Sequence, residues 1–175
     1  MTGLTKGLII AIAHVGLVTS LGGKLYYDRA TQPRVWARTA PYDPDLPIRG
    51  RYVSLRLLIE ARGTHEPPPQ AKYQTPEAVS LRVENNRLIG VAEAADRGYD
   101  SSDLHIVFVE RRGGKLAMLD QPIAYFIPEH VPDPSIRAAG EELWVEVTIP
   151  QKGPPRPIRL GVKKGEAPIA PLQLR

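Results

Sequence analysis

Cysteine is missing from this chain altogether, and methionine, phenylalanine and tryptophan occur only twice each. Without cysteine there is no disulfide framework, no thiolate metal site and no cysteine nucleophile; the same absence does not identify the compartment. The four histidines, at positions 14, 65, 105 and 130, have no ligand spacing, so no metal is expected. Glu129-His130 is an adjacent acid and histidine, but chain neighbours point in different directions. No phosphate-cradling glycine loop is present, because "RRGGK" (111–115) falls at a hairpin turn rather than between a strand and a helix. A serine–lysine pair is equally hard to assemble: Ser20 lies inside an apolar span, and no lysine sits in an apolar strand with a partner. Charge of one sign is also scarce. The net charge is +4 and the basic residues are spread along the chain, which reads as a soluble basic surface rather than a nucleic-acid interface. No catalytic residue and no cofactor is expected.

What the chain does have is punctuation. Eighteen prolines and 15 glycines fall between short apolar runs in 175 residues, a pattern of turns and short strands around one core.

The exception is residues 7–23, "GLIIAIAHVGLVTSLGG", which carry no charge and no polar stripe. Extended to residues 8–27, the segment is about 30 Å long as a helix, the thickness of a bilayer core. Lys24 can snorkel, and Tyr26 and Tyr27 suit the headgroup level. A cleaved signal peptide and a buried soluble helix are the rival readings. The first lacks a clean small-x-small site, and the second lacks a polar face. Lys6 stands on one side, with Lys24, Arg29, Arg34 and Arg38 on the other, so a literal positive-inside count puts the C-terminal part in the cytoplasm. The very short N-terminal flank is that of a signal anchor, and the reading adopted is a single-pass anchor with the C-terminal domain outside the cytoplasm. His14 reads as a neutral histidine tolerated in a single-pass anchor, with a functional role as its rival.

The remainder divides into a linker (28–33), a β-rich domain (34–164) and a C-terminal tail (165–175), after a short flank (1–7) and the anchor (8–27). "RVWART" (34–39) is the first strand, and "PYDPDLPIRG" (41–50) is turn material. "RYVSLRLLIEA" (51–61) alternates as a strand with one buried face. Residues 62–78 are a polar insertion whose three consecutive prolines form an exposed extended loop, or a ligand for a proline-reading partner. "VSLRVENNRLIGVAEA" (79–94) is a hairpin, with Asn85-Asn86 supplying the positive-φ pair of a two-residue turn. "LHIVFVERRGGKLAMLDQ" (104–121) repeats the device, and its all-apolar "IVFV" predicts a strand covered on both faces. "IAYFIPEH" (123–130) is a strand ending at Pro128. "PDPSIRAAGEE" (132–142) carries a helix start, with Asp133 as cap and Pro134 at the first helical position. "LWVEVTIP" (143–150) and "PIRLGVKK" (157–164) form the last strand pair. The fold class expected is all-β, a sandwich or partly open barrel of eight or nine short strands with one short helix, preceded by one transmembrane helix.

Gly50-Arg51-Tyr52-Val53-Ser54-Leu55-Arg56-Leu57 resembles the naming motif of the bacterial GDYXXLXY domain family, membrane-anchored proteins of unknown function. "RTAPYDPDLPIRG" (38–50) is similar to that family's approach to the motif, and "YFIPE" (125–129) to its second signature. Arg51 replaces the motif aspartate and Leu57 its final tyrosine, so any role needing that carboxylate is absent here or performed differently. The resemblance implies no activity and no catalytic residue; it implies the company of multi-pass membrane proteins. On it rests a candidate site in three pieces: Asp43 and Asp45; Arg49, Gly50, Arg51 and Tyr52; and Tyr125, Pro128 and Glu129. One reading joins the two signature turns into a polar docking surface. The other makes them a corner, with Asp43 capping its turn, Gly50 supplying a special backbone angle, and Arg49 or Arg51 paired with Glu129. The functional expectation is a non-catalytic accessory or interaction subunit of a membrane assembly. An anchored hydrolase or peptidase-like enzyme and a small-ligand sensor domain are the alternatives.

Overall fold

The computed structural model describes residues 3–41, 52–65, 75–93, 104–111, 114–151 and 153–174. The expected turn at 42–50, most of the proline-rich insertion and the Arg112-Gly113 turn centre lie outside the described residues, as do Asp43, Asp45, Arg49, Gly50 and Arg51. Two units are distinct, Met1–Gln32 and Pro33–Arg175.

The first unit is helix α1 (Gly3–Thr31), which has no buried residue. Leu8, Ile9, Ile12, Val15, Leu17 and Val18 are each more than half exposed. The helix is long and apolar enough to cross a membrane. Its few polar groups turn back on their own backbone. Thr19 donates to the Val15 carbonyl at 2.7 Å, Thr31 to that of Tyr27 at 2.8 Å, and His14 Nδ1 lies 2.9 Å from that of Ile10. Such i−4 bonds need no water, which is how a hydroxyl or a neutral imidazole is tolerated in an apolar phase.

The second unit is strands alone among its described residues: β1 (Arg34–Pro41), β2 (Tyr52–Arg62), β3 (Glu77–Glu84), β4 (Arg87–Ala92), β5 (His105–Arg111), β6 (Gly114–Leu119), β7 (Ile123–Phe126), β8 (Glu141–Thr148), β9 (Arg156–Lys164) and β10 (Ala170–Pro171). The β-dominated fold expected from the sequence is the fold adopted. Its centre is β2, whose 11 residues reach about 36 Å. The second half of β2 pairs in parallel with β4 and antiparallel with β6, and the ladders β4–β3, β3–β5 and β5–β6 close a five-stranded barrel. The first half pairs with β7 on one edge, and β1 lies on the other with β8, β9 and β10 beyond it.

One core runs through both parts. Val53, Leu55, Leu57 and Ile59 of β2 meet Val35 and Ala37 of β1, Val145 and Val147 of β8, Leu160 of β9, and Ile106, Ala117 and Leu119 of the barrel. These inward residues follow the period of two that the sequence displays. The "IVFV" strand is covered on both faces: Ile106 and Phe108 pack with the main core, while Val107 and Val109 pack on a smaller cluster of Ala40, Leu58 and Met118. The β3–β4 turn has the expected geometry, with φ of 49° at Asn85 and 60° at Asn86.

The helix predicted from 132 onward does not form. Its start signal is real but makes a single turn: the Ser135 amide donates to Asp133 Oδ1 at 2.8 Å and the Ile136 amide to the Asp133 carbonyl at 3.3 Å. Gly140, at φ 82°, ends the stretch only six residues after Pro134. So short a segment cannot repay helix nucleation, and Pro134 is instead fully buried as an anchor for the loop.

Candidate functional site

The two signature segments lie side by side because β2 and β7 are neighbours. Tyr52 pairs with Phe126, Val53 with Tyr125, Ser54 with Ala124 and Leu55 with Ile123. Alternation then sorts the side chains. Val53, Leu55 and Ile123 are buried, and Tyr125 packs partly buried against the same core. Tyr52 and Phe126 stand together on the opposite, outer face, as direct cross-strand neighbours about 5 Å apart at Cβ. Tyr52 is half-buried, whereas Phe126 is 71% exposed.

The structure thus brings Tyr52 and Tyr125 onto adjacent strands but onto opposite faces. Ile127 is buried. Pro128 opens a turn closed by the Val131 amide donating to its carbonyl at 3.1 Å, which leaves Glu129 and His130 exposed. Phe126 is absent from the residues picked on sequence, yet it is the exposed member of the group. The signal was available: with Ile123, Tyr125 and Ile127 inward, strand parity sends Phe126 outward.

The approach to the motif also has a structural basis. Arg38 pairs with Glu142 at 2.7 Å, and the buried Thr39 hydroxyl donates to the Leu143 carbonyl at 2.9 Å. Both contacts fasten β1 to β8 near Arg38, where their backbone ladder ends. Leu55 and Leu57, two further motif positions, are completely buried. Much of the signature is therefore scaffold, and Tyr52, Phe126 and Glu129 are its surface.

A second feature lies at the other end of β2. The outer face of β1, β8 and β9 carries both tryptophans of the chain, Trp36 and Trp144. Arg159 sits over the Trp36 ring, 5.4 Å from its centroid, and Lys163 over Trp144 at 5.6 Å. Glu146 binds Arg159 at 2.7 Å, and Glu142 accepts from Trp144 Nε1 at 3.3 Å. Between this face and the Asn85-Asn86 turn runs a cleft of about 460 Å³. Neither this cleft nor a smaller one beside Phe108 and Arg62 is lined by Glu129, His130 or any serine. His65 and Glu77 meet at 3.4 Å, and no third acid or histidine among the described residues joins them.

The assembly is a small β-barrel extended by an open sheet, with an apolar helix at the N-terminal end of the chain and signature residues on one sheet edge. The chain belongs to the GDYXXLXY protein family, whose sequence profile matches residues 15–160. That match runs from within α1 to Leu160 in β9, so it takes in the barrel, both signatures and the sheet as far as the middle of β9. No curated protein and no solved structure matches the chain.

Proposed function

We propose that this protein is a non-catalytic interaction subunit of a bacterial membrane assembly, held by α1 in the inner membrane with its β-domain in the periplasm. Its partner in this reading is a multi-pass membrane protein, contacted through the Tyr52–Phe126 edge. The observation that carries the proposal is the 71% exposure of Phe126 beside Tyr52. An aromatic left in water gives up much of its burial free energy unless a partner covers it, and aromatic anchors of this kind dominate interfaces. Exposed Ile136, in the loop that follows β7, adds apolar surface to the same unit.

Two experiments test it. A photo-crosslinking residue at position 126 of the full-length protein in native membranes should capture one multi-pass neighbour. Capture of nothing above background, in membranes where the protein is abundant, would overturn the docking role. Orientation is tested separately, since the chain has no cysteine of its own. A single Glu166→Cys change at an exposed turn should react with an impermeant maleimide in intact spheroplasts. Labelling only after lysis would place the domain in the cytoplasm.

A further inference from the structure

The cleft between the outer face of β1, β8 and β9 and the Asn85-Asn86 turn is unexplained by folding or by the Tyr52–Phe126 edge, which lies about 20 Å away along β2, measured from Tyr52 to Leu58. Strand parity puts Trp36 and Trp144 on the outside, where the core has no use for them. Both nevertheless line this one cleft.

They are held in place before any ligand arrives. Trp36 lies across Gly161 so closely that a Cβ there would meet two of its ring carbons at 2.9 Å. Arg159, fixed by Glu146, covers part of the ring, and Glu142 ties down Trp144 through Nε1. A wall whose rings are already ordered loses little entropy on binding.

The charges narrow the ligand. Among the cations lining the cleft, Arg38 is neutralised by Glu142 at 2.7 Å and Arg87 by Glu60 at 2.7 Å. Lys163 rests over the Trp144 indole, and the carboxylate opposite it in the ladder, Glu142, is engaged by Arg38 and Trp144 Nε1. One ammonium without an ion pair among the described residues suits a single carboxylate and is too little for a polyphosphate backbone. On the facing wall, the exposed Asn85 and Asn86 amides offer donors and acceptors together, the match for vicinal hydroxyls.

We propose that this cleft binds a saccharide bearing a carboxylate. A sugar's C–H groups lie against the indole surface that Arg159 and Lys163 leave open, its hydroxyls meet the asparagine amides, and its carboxylate takes the Lys163 ammonium. The volume is within the range of small-ligand sites. The inference does not depend on the docking role.

The test uses a convenience of the sequence: the only two tryptophans are in the cleft, so emission excited selectively from tryptophan, away from the tyrosine band, reports on it alone. The full-length protein, in polyoxyethylene micelles that contain no sugar headgroup, is titrated with an oligogalacturonate. The controls are a neutral oligosaccharide of the same length and a proline-rich peptide. The acidic oligosaccharide should shift tryptophan emission saturably, and the neutral one should bind more weakly. Lys163→Gln should weaken the acidic ligand about tenfold, change the neutral one far less, and move thermal melting by no more than the loss of one surface cation–π contact. The proposal is overturned if oligogalacturonate produces neither an emission change nor binding heat. It is equally overturned if Lys163→Gln binds both saccharides like the parent chain, or if only the peptide binds.

Discussion

Strand β2 is two strands in one. From Tyr52 to Arg56 it alternates, with Val53 and Leu55 buried and Tyr52, Ser54 and Arg56 half-exposed. From Leu57 to Ile59 three consecutive residues are buried. The first stretch lies between β1 and β7 with one face on the core. The second enters the barrel, where Leu58 points away from the main core into the Ala40–Met118 cluster. The comparison teaches that a period of two survives only where one face of a strand remains in contact with solvent. The Tyr52–Phe126 edge, the docking surface proposed above, is in the alternating half, where one face of the strand reaches solvent.

The sharpest way to break this comparison is to truncate each half. Leu55→Ala removes a completely buried side chain from the main core and should cost about 3–4 kcal/mol, against about 2 kcal/mol for Leu58→Ala in the smaller cluster. Denaturant unfolding of the full chain in micelles measures both. Equal costs would mean that the second cluster is as integral to the fold as the first.

A finer contrast uses two glycines, one at each end of the architecture. At Gly161 a Cβ would meet Ile169 Cγ2 at 2.7 Å and the rigid Trp36 ring at 2.9 Å. At Gly90, inside the barrel, it would meet the Ile59 Cδ1 terminus at 2.7 Å, which can swing aside. Gly161→Ala should therefore cost about 2 kcal/mol and change tryptophan emission. Gly90→Ala should cost about 1 kcal/mol and leave emission as it was. An emission change from the Gly90 variant would show that barrel and cleft are coupled.

Much of this arrangement is legible in the sequence. The alternation in "RYVSLRL", the Asn85-Asn86 turn and the doubly apolar "IVFV" each reflect forces confined to a few neighbouring residues. Barrel closure was not legible, because it depends on β2 being long enough to take different partners along its length. The helix expected after Pro134 misled because capping chemistry is local while helix stability needs length. Of the candidate site, the approach of Tyr52 to Tyr125's strand is now visible, and Asp43, Asp45, Arg49, Gly50 and Arg51 fall outside the described residues. Tyr52 and Tyr125 share a chemistry, and strand parity divides them between two faces. The same parity, applied to "RVWART" and "LWVEV", would have set both tryptophans on the outside.

Thr39 sharpens the separation of scaffold from surface within the signature. Its hydroxyl reaches the Leu143 carbonyl near the end of the β1–β8 ladder, in a buried position. Thr39→Val keeps the shape, deletes the donor and leaves that acceptor without this bond, so stability should fall by about 1 kcal/mol. Capture at position 126 should be unaffected, because the edge is untouched. A Thr39 variant of normal stability would remove the structural account of this part of the signature.

Phe126→Ala should show the smallest stability effect and carry the most information. The side chain is 71% exposed and covers little of the core, so the thermal melt should move by less than the equivalent of about 0.5 kcal/mol. Tyr125→Ala, one residue earlier but facing inward, should cost several times more, since its ring packs on the core. Recovery of the multi-pass partner should follow the opposite order, lost with Phe126→Ala and reduced with Tyr125→Ala only as far as folded protein is reduced. If Phe126→Ala instead unfolds the domain as readily as Tyr125→Ala, the ring is holding the β2–β7 pair together. The surface would then be a corner rather than a docking edge.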